Sequence, residues 1–121
     1  MSDPVEEQLY DASFRGRVSE VSSLLRDHPE IDVNWTNEYQ FTALHAASSN
    51  GQAEVVKLLL AHQDINVNSK DNGGNTPFLS GCENGHVSVV QVLLKDPRVD
   101  VTLDDNDGCH CGVHLFIRGM K

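Results

Sequence analysis

The sequence predicts an all-α solenoid of stacked helix–turn–helix units joined by β-turn or hairpin loops. Three observations carry this. First, the chain superimposes on itself at a shift of 34 residues: Thr42-Ala43-Leu44-His45 on Thr76-Pro77-Phe78-Leu79, Asn50-Gly51 on Asn84-Gly85, Leu58-Leu59-Leu60 on Val92-Leu93-Leu94, and Val67-Asn68 on Val101-Thr102. A fixed period of this size marks one supersecondary unit stacked in a row. Second, helix breakers recur at matching places, with Gly16, Gly51 and Gly85 inside the units and Pro29 and Pro97 after them. Third, the chain is only 39% apolar and 6% aromatic, which suits thin stacked layers better than one thick core.

The elements follow in order. Asp3 as a cap, Pro4 at the first helical position and Glu6 three residues after the cap start the first helix. Leu9, Ala12 and Ser13 give it one buried face at helical spacing, and Gly16 ends it. A second helix presents Val18, Val21, Leu24 and Leu25 to the core and stops at Pro29. Ile31-Asp32-Val33-Asn34 alternates as a half-buried strand or loop does, and Trp35 to Phe41 is turn-like. Thr42 opens the next cycle. Its first helix buries Leu44, Ala47 and Ser48 up to Gly51, and its second carries Val55, Val56, Leu58, Leu59 and Leu60. Ile65 and Val67 alternate on the way out. The third cycle starts at Thr76-Pro77, breaks at Gly85, stops near Pro97 and exits through Val99 and Val101. The first unit aligns on the second at a shift of 34 after Pro29 and of 35 before it, so one connection differs by a residue.

A length of 121 residues is one domain's worth of chain. Nine basic residues against 18 acidic ones give a net charge of −9. Phosphate binding needs a basic footprint, so nucleic acid is excluded as a direct ligand, and an anionic membrane surface is disfavoured. No apolar run is long enough to span a membrane. The acidic MSDPVEEQLYD start lacks a secretory pattern, and three cysteines are an odd number for a disulfide framework. The expected setting is a reducing intracellular compartment, cytoplasmic or nuclear. No catalytic triad and no phosphate-cradling glycine motif is visible. The expectation is a non-enzyme without cofactor. Thr42 caps its helix, with His45 one turn on bonding back, so His45 reads as structural; Leu79 stands at the same place in the third unit. Cys82 reads as core.

Thr42-x-Leu44-His45-x-Ala47, Asn50-Gly51, Val55-Val56-x-Leu58-Leu59-Leu60 and Val67-Asn68 together resemble the ankyrin repeat, as does the turn Asp71-x-x-Gly74-x-Thr76-Pro77. The resemblance implies an ankyrin-repeat domain over residues 1–108, with repeats at about 3–35, 36–69 and 70–103, and an atypical tail or partial fourth repeat over 109–121. It implies that the turn tips and inner helix faces form a concave strip binding another protein, as adaptor, inhibitor or regulatory subunit. Carried over by position, that strip is Phe14, Trp35, Glu38, Tyr39, Ser49, Lys70, Asn72 and Glu83. Asp11, Ala46 and Ser80 are placed on the same outward side, and an exposed Trp35 beside Tyr39 has hot-spot composition. It also implies hydroxylation as a modification open to Asn68.

Two alternatives come from smaller segments. Arg15-Gly16-Arg17-Val18 with Glu20-Val21 and Leu24-Leu25 is similar to the first repeat of ankyrin cyclin-dependent-kinase inhibitors. A kinase inhibition assay separates that role from general binding. Cys109, Cys111 and His114 are zinc-type ligands, although one residue separates the cysteines where fingers use two to four. In the remaining reading the tail is apolar cover for the third repeat, through Val113, Leu115, Phe116 and Ile117. A monomer is expected, with dimerisation through the C-terminal end as the alternative. In the cover reading, a zinc titration leaves the melting temperature unchanged; a zinc-dependent rise would assign the cluster to metal.

Overall fold

The structure is a computed structural model and describes residues 4–102. Among the described residues six helices lie in three antiparallel pairs: α1 Val5–Arg15 with α2 Val18–Asp27, α3 Ala43–Ser49 with α4 Ala53–Leu60, and α5 Pro77–Glu83 with α6 Val87–Leu94. The described residues contain no strand. Helices α1, α3 and α5 pack side by side as one layer, and α2, α4 and α6 as a second. The core lies between the layers and runs through all three pairs, from Leu9 and Val21 through Leu44 and Leu59 to Phe78 and Leu93. Ile31, Val33, Ile65 and Val67 close its edge from the loops.

The period seen in the sequence is a period in hydrogen bonding. Asn34 Nδ2 donates to the Asp64 carbonyl at 2.8 Å, and Asn34 Oδ1 accepts from Asn66 N–H at 2.7 Å. Asn68 repeats this on the next unit, with the Arg98 carbonyl and Asp100 N–H, both at 2.8 Å. One amide side chain thus satisfies a backbone acceptor and a backbone donor of its neighbour, groups that would be costly to leave unpaired. A parallel set joins helix ends. Gln52 Nε2 donates to the Phe14 carbonyl and His86 Nε2 reaches the Ser49 carbonyl, each from the following unit. These carbonyls belong to the last turns of α1 and α3, where intrahelical donors run out.

The N-terminal end departs from the expected pattern. Pro4, not Asp3, is the N-cap of α1, and no side chain caps it; Asp3 lies outside the described residues. Glu6 does not turn back on its own helix. Its carboxylate accepts from Asp32 N–H at 3.1 Å. Asp32 aligns with Asn66 and Asp100, so Glu6 does for the first unit what Asn34 and Asn68 do for the next two. Asp11 occupies the place of buried Ala46 and Ser80, and Glu20 the place of buried Val55 and Val89. The expectation that all three of Asp11, Ala46 and Ser80 face outward is therefore corrected: the latter two are buried, at 4% and 6% exposure. Charge makes this face of the first unit polar where the aligned positions of the next two units are small or apolar and buried. Val18, expected in the core, is 41% exposed. At the other end of the described residues, Val101 is 37% exposed, against 2% for Val33 and 4% for Val67.

Two backbone positions show how strictly the period is kept. Gly51 has φ +72°, and an added Cβ would lie 2.7 Å from His86 Nδ1. Gln40 has φ +66°, in the left-handed region, at the position where the next unit has Gly74 at φ +79°. The turn forces this torsion whatever the residue. Gln40→Gly removes a left-handed strain of about 1 kcal/mol and is expected to raise stability. Gly51→Ala adds the same strain plus a collision and is expected to cost more than about 1 kcal/mol. Urea unfolding of the two variants checks the opposite signs.

Candidate functional site

Each turn tip is built by one side chain. Asn37 Oδ1 accepts from Tyr39 N–H at 2.9 Å and Phe41 N–H at 3.0 Å, and Asp71 Oδ1 accepts from Gly73 N–H and Asn75 N–H, both at 2.9 Å. Asn and Asp suit this because a short acceptor can bond its own backbone two residues on. Asn72 N–H then donates to the Tyr39 carbonyl at 3.1 Å, which ties one tip to the next.

His45 fixes the tips to the helices. Thr42 N–H is only a donor, and it meets His45 Nδ1 at 3.2 Å. Nδ1 must therefore accept, and the ring proton sits on Nε2, which donates to the Asn75 carbonyl at 2.8 Å. Thr42 Oγ1 in turn accepts from His45 N–H at 3.1 Å. The result is a reciprocal cap with histidine in the place of the usual glutamate or glutamine. In α5 the Thr76 hydroxyl caps Leu79 N–H at 3.3 Å without a return bond, since leucine has none to give.

The strip residues take up several environments. Phe14 on α1 is 49% exposed and Tyr39 at a tip 56% exposed. Glu38, Lys70, Asn72 and Glu83 are exposed, and Ser49 is half-buried. Phe14 and Ser49 line one small pocket of about 80 Å³ between α1 and α3, together with Tyr10, Phe41, His45 and Ala46. Trp35 is half-buried, and its ring meets Tyr10 edge-on at 6.1 Å between centroids. The Tyr39 ring lies instead on Phe41, at 5.9 Å. The two residues expected as one aromatic spot thus belong to two separate ring pairs. Sequence reasoning passed over Tyr10 and Phe41. Tyr10 lies four residues before Phe14, hence on the same helix face, and Asn37 Nδ2 donates to its hydroxyl at 3.3 Å. Burial raises the Tyr10 pKa, with that hydrogen bond opposing.

Cys82 stands at the aligned position of buried Ser13 and Ser48. Burial, and then the Glu83 charge, push its thiol up to about 11, so it is a poor nucleophile. Cys109, Cys111 and His114 lie outside the described residues, as do the tail residues proposed as cover. Among the described residues no three or more His, Cys, Asp and Glu side chains are grouped to hold a metal. Also among the described residues, no helix is long and apolar enough to cross a membrane.

A family model of ankyrin repeats matches residues 9–105 in three copies. The chain belongs to the ankyrin-repeat family. Comparison with curated proteins gives no significant match. Ankyrin repeats are in general protein–protein interaction modules; the repeats here are built from the paired helices, capping threonines and tip loops described above. Asn68, which the family likeness suggested as a modification site, spends both ends of its amide on the neighbouring repeat.

Burial lowers the His45 pKa from its ordinary 6.5, against smaller opposing effects of the Asn75 carbonyl and the Asp71 charge. Below pH 6.5 the unfolded chain protonates this ring while the folded chain resists. The unfolded state then holds more protons, so stability falls as pH drops below about 6.5, by up to about 1.4 kcal/mol per pH unit, until the folded pKa is reached. Denaturant unfolding at pH 7.5, 6.5 and 5.5 is expected to show this slope. In His45→Leu, which copies Leu79, the slope shrinks while stability at pH 7.5 falls by about 1–2 kcal/mol, because Thr42 N–H and the Asn75 carbonyl lose a partner.

Proposed function

We propose that this ankyrin-repeat chain binds another protein through the strip formed by the turn tips and the outward faces of α1, α3 and α5, its concave face by family likeness. The observation that supports this most is the contrast between backbone and side chains along the strip. The backbone is fixed at every unit by bonds from Asn34, Asn37, His45, Asn68 and Asp71. The side chains it carries differ from unit to unit: Phe14, Ser49 and Glu83 at one position, Glu38 and Asn72 at another. Constant support with variable display is what recognition needs, because little ordering entropy is then lost on binding. A standard interface covers about 800 Å² on each partner. An adaptor, an inhibitor and a regulatory subunit would all use the same surface.

The test is affinity purification with mass spectrometry on three proteins: wild type, Phe14→Ala with Tyr39→Ala, and Glu54→Ala with Lys57→Ala on the second layer. The strip variant is expected to keep its fold and lose captured partners, with a weakening of about 2 kcal/mol or more. The second-layer variant is expected to behave as wild type. Equal capture by all three would overturn the reading. Trp35→Ala is expected to lower stability as well, by about 1 kcal/mol, because its ring packs on Tyr10.

A further inference from the structure

On the reading of the strip as a protein-binding surface, one part of it carries a specific partner chemistry. The small pocket between α1 and α3 is walled by rings and an alanine methyl, with Phe14, Tyr10, Phe41 and Ala46 on its sides. Beside it runs an open groove of about 430 Å³ lined by Glu7, Asp11 and Glu20 with the Trp35 and Tyr10 rings. No lysine or arginine lines this groove, although Arg15 bonds Asp11 from outside it at 3.0 Å. The Tyr10 ring is common to both depressions, so they are neighbours divided by one side chain.

We infer that this double site takes an extended basic segment of another protein, with a cationic side chain in the Glu7–Glu20 groove and an adjacent aliphatic side chain in the Phe14 pocket. Complementarity of charge chooses the partner. Glu7 and Glu20, beside an Asp11 already bonded to Arg15 and two aromatic side chains, form a surface for a guanidinium or ammonium group. The same groove repels an acidic segment, as does the net charge of −9. Size chooses the neighbour. A small pocket of about 80 Å³ walled by rings and a methyl suits a compact aliphatic side chain. Polar capping of the first repeat accounts for Asp11 and Glu20. It does not account for an aromatic pair between them or for a half-exposed Phe14 at the edge.

The probe is a short Gly/Ser peptide carrying one Arg-Leu pair, titrated into isotope-labelled full-length chain and followed by amide chemical shifts. Glu-Leu and Arg-Ser peptides are the controls. The expected result is movement of the Tyr10, Phe14 and Ser49 amides, with at least about tenfold tighter binding than either control. Phe14→Ala is expected to remove the leucine preference. Glu7→Lys with Glu20→Lys is expected to remove the arginine preference and the salt sensitivity. Equal binding of all three peptides, binding indifferent to both variants, or the same amides moving with protein concentration alone would overturn the inference, the last by assigning the groove to a second copy of the chain. Failure here is separable from failure of the broader reading. In the first case the purification still shows partners that depend on Phe14 and Tyr39; in the second it shows none.

Discussion

The molecule depends on side chains that hydrogen-bond the backbone of the adjoining repeat. Hydrophobic contact between helix pairs supplies attraction but little register, since one apolar face slides on another at small cost. Asn34, Asn68 and His45 supply the register. Each reaches a backbone group some thirty residues ahead, at 2.7–2.8 Å, and each would leave a polar group unsatisfied if the repeats slipped. Among the described residues the loops between helices form no strands, so these amide and imidazole bonds serve in place of a ladder.

Such an arrangement separates two tasks that a globular core combines. Inside, the aligned positions accept only a narrow set of residues: Leu44 and Phe78, Val55 and Val89, Leu59 and Leu93. Outside, the same period presents whatever residue selection has placed there. The exposed phenylalanine and tyrosine cost the fold little, because neither is needed to close the core. Rigidity at the surface is thus a product of bonds made beneath it.

Much of this was legible in the residues. Thr42 with His45 announced a reciprocal cap, Gly51 announced the break between paired helices, and the alternation of Ile31 with Val33 gave a buried edge. What escaped reading had physical causes of its own. Gln40 sits in a left-handed conformation because Asn37 bonds two amides around it, and glutamine itself carries no sign of that. Glu6 looked like a helix cap, yet its carboxylate satisfies Asp32 N–H, a partner visible only once the chain has folded back. Trp35 and Tyr39, four residues apart in a turn, seemed one aromatic spot. Helical spacing does not hold in a turn, so their rings found different neighbours. Tyr10 was the main omission at the site, although its place one helical turn before Phe14 was available to be read.

The carboxylates at Asp11 and Glu20 give the stack a direction. A further repeat stacking an apolar helix face there would have to strip water from two charges whose aligned counterparts are alanine, serine and valine. Apolar stacking there is penalised, while a partner that brings positive charge is not. Two side chains thus sort what can meet this face: a bare hydrophobic surface is turned away, and a cationic one is admitted.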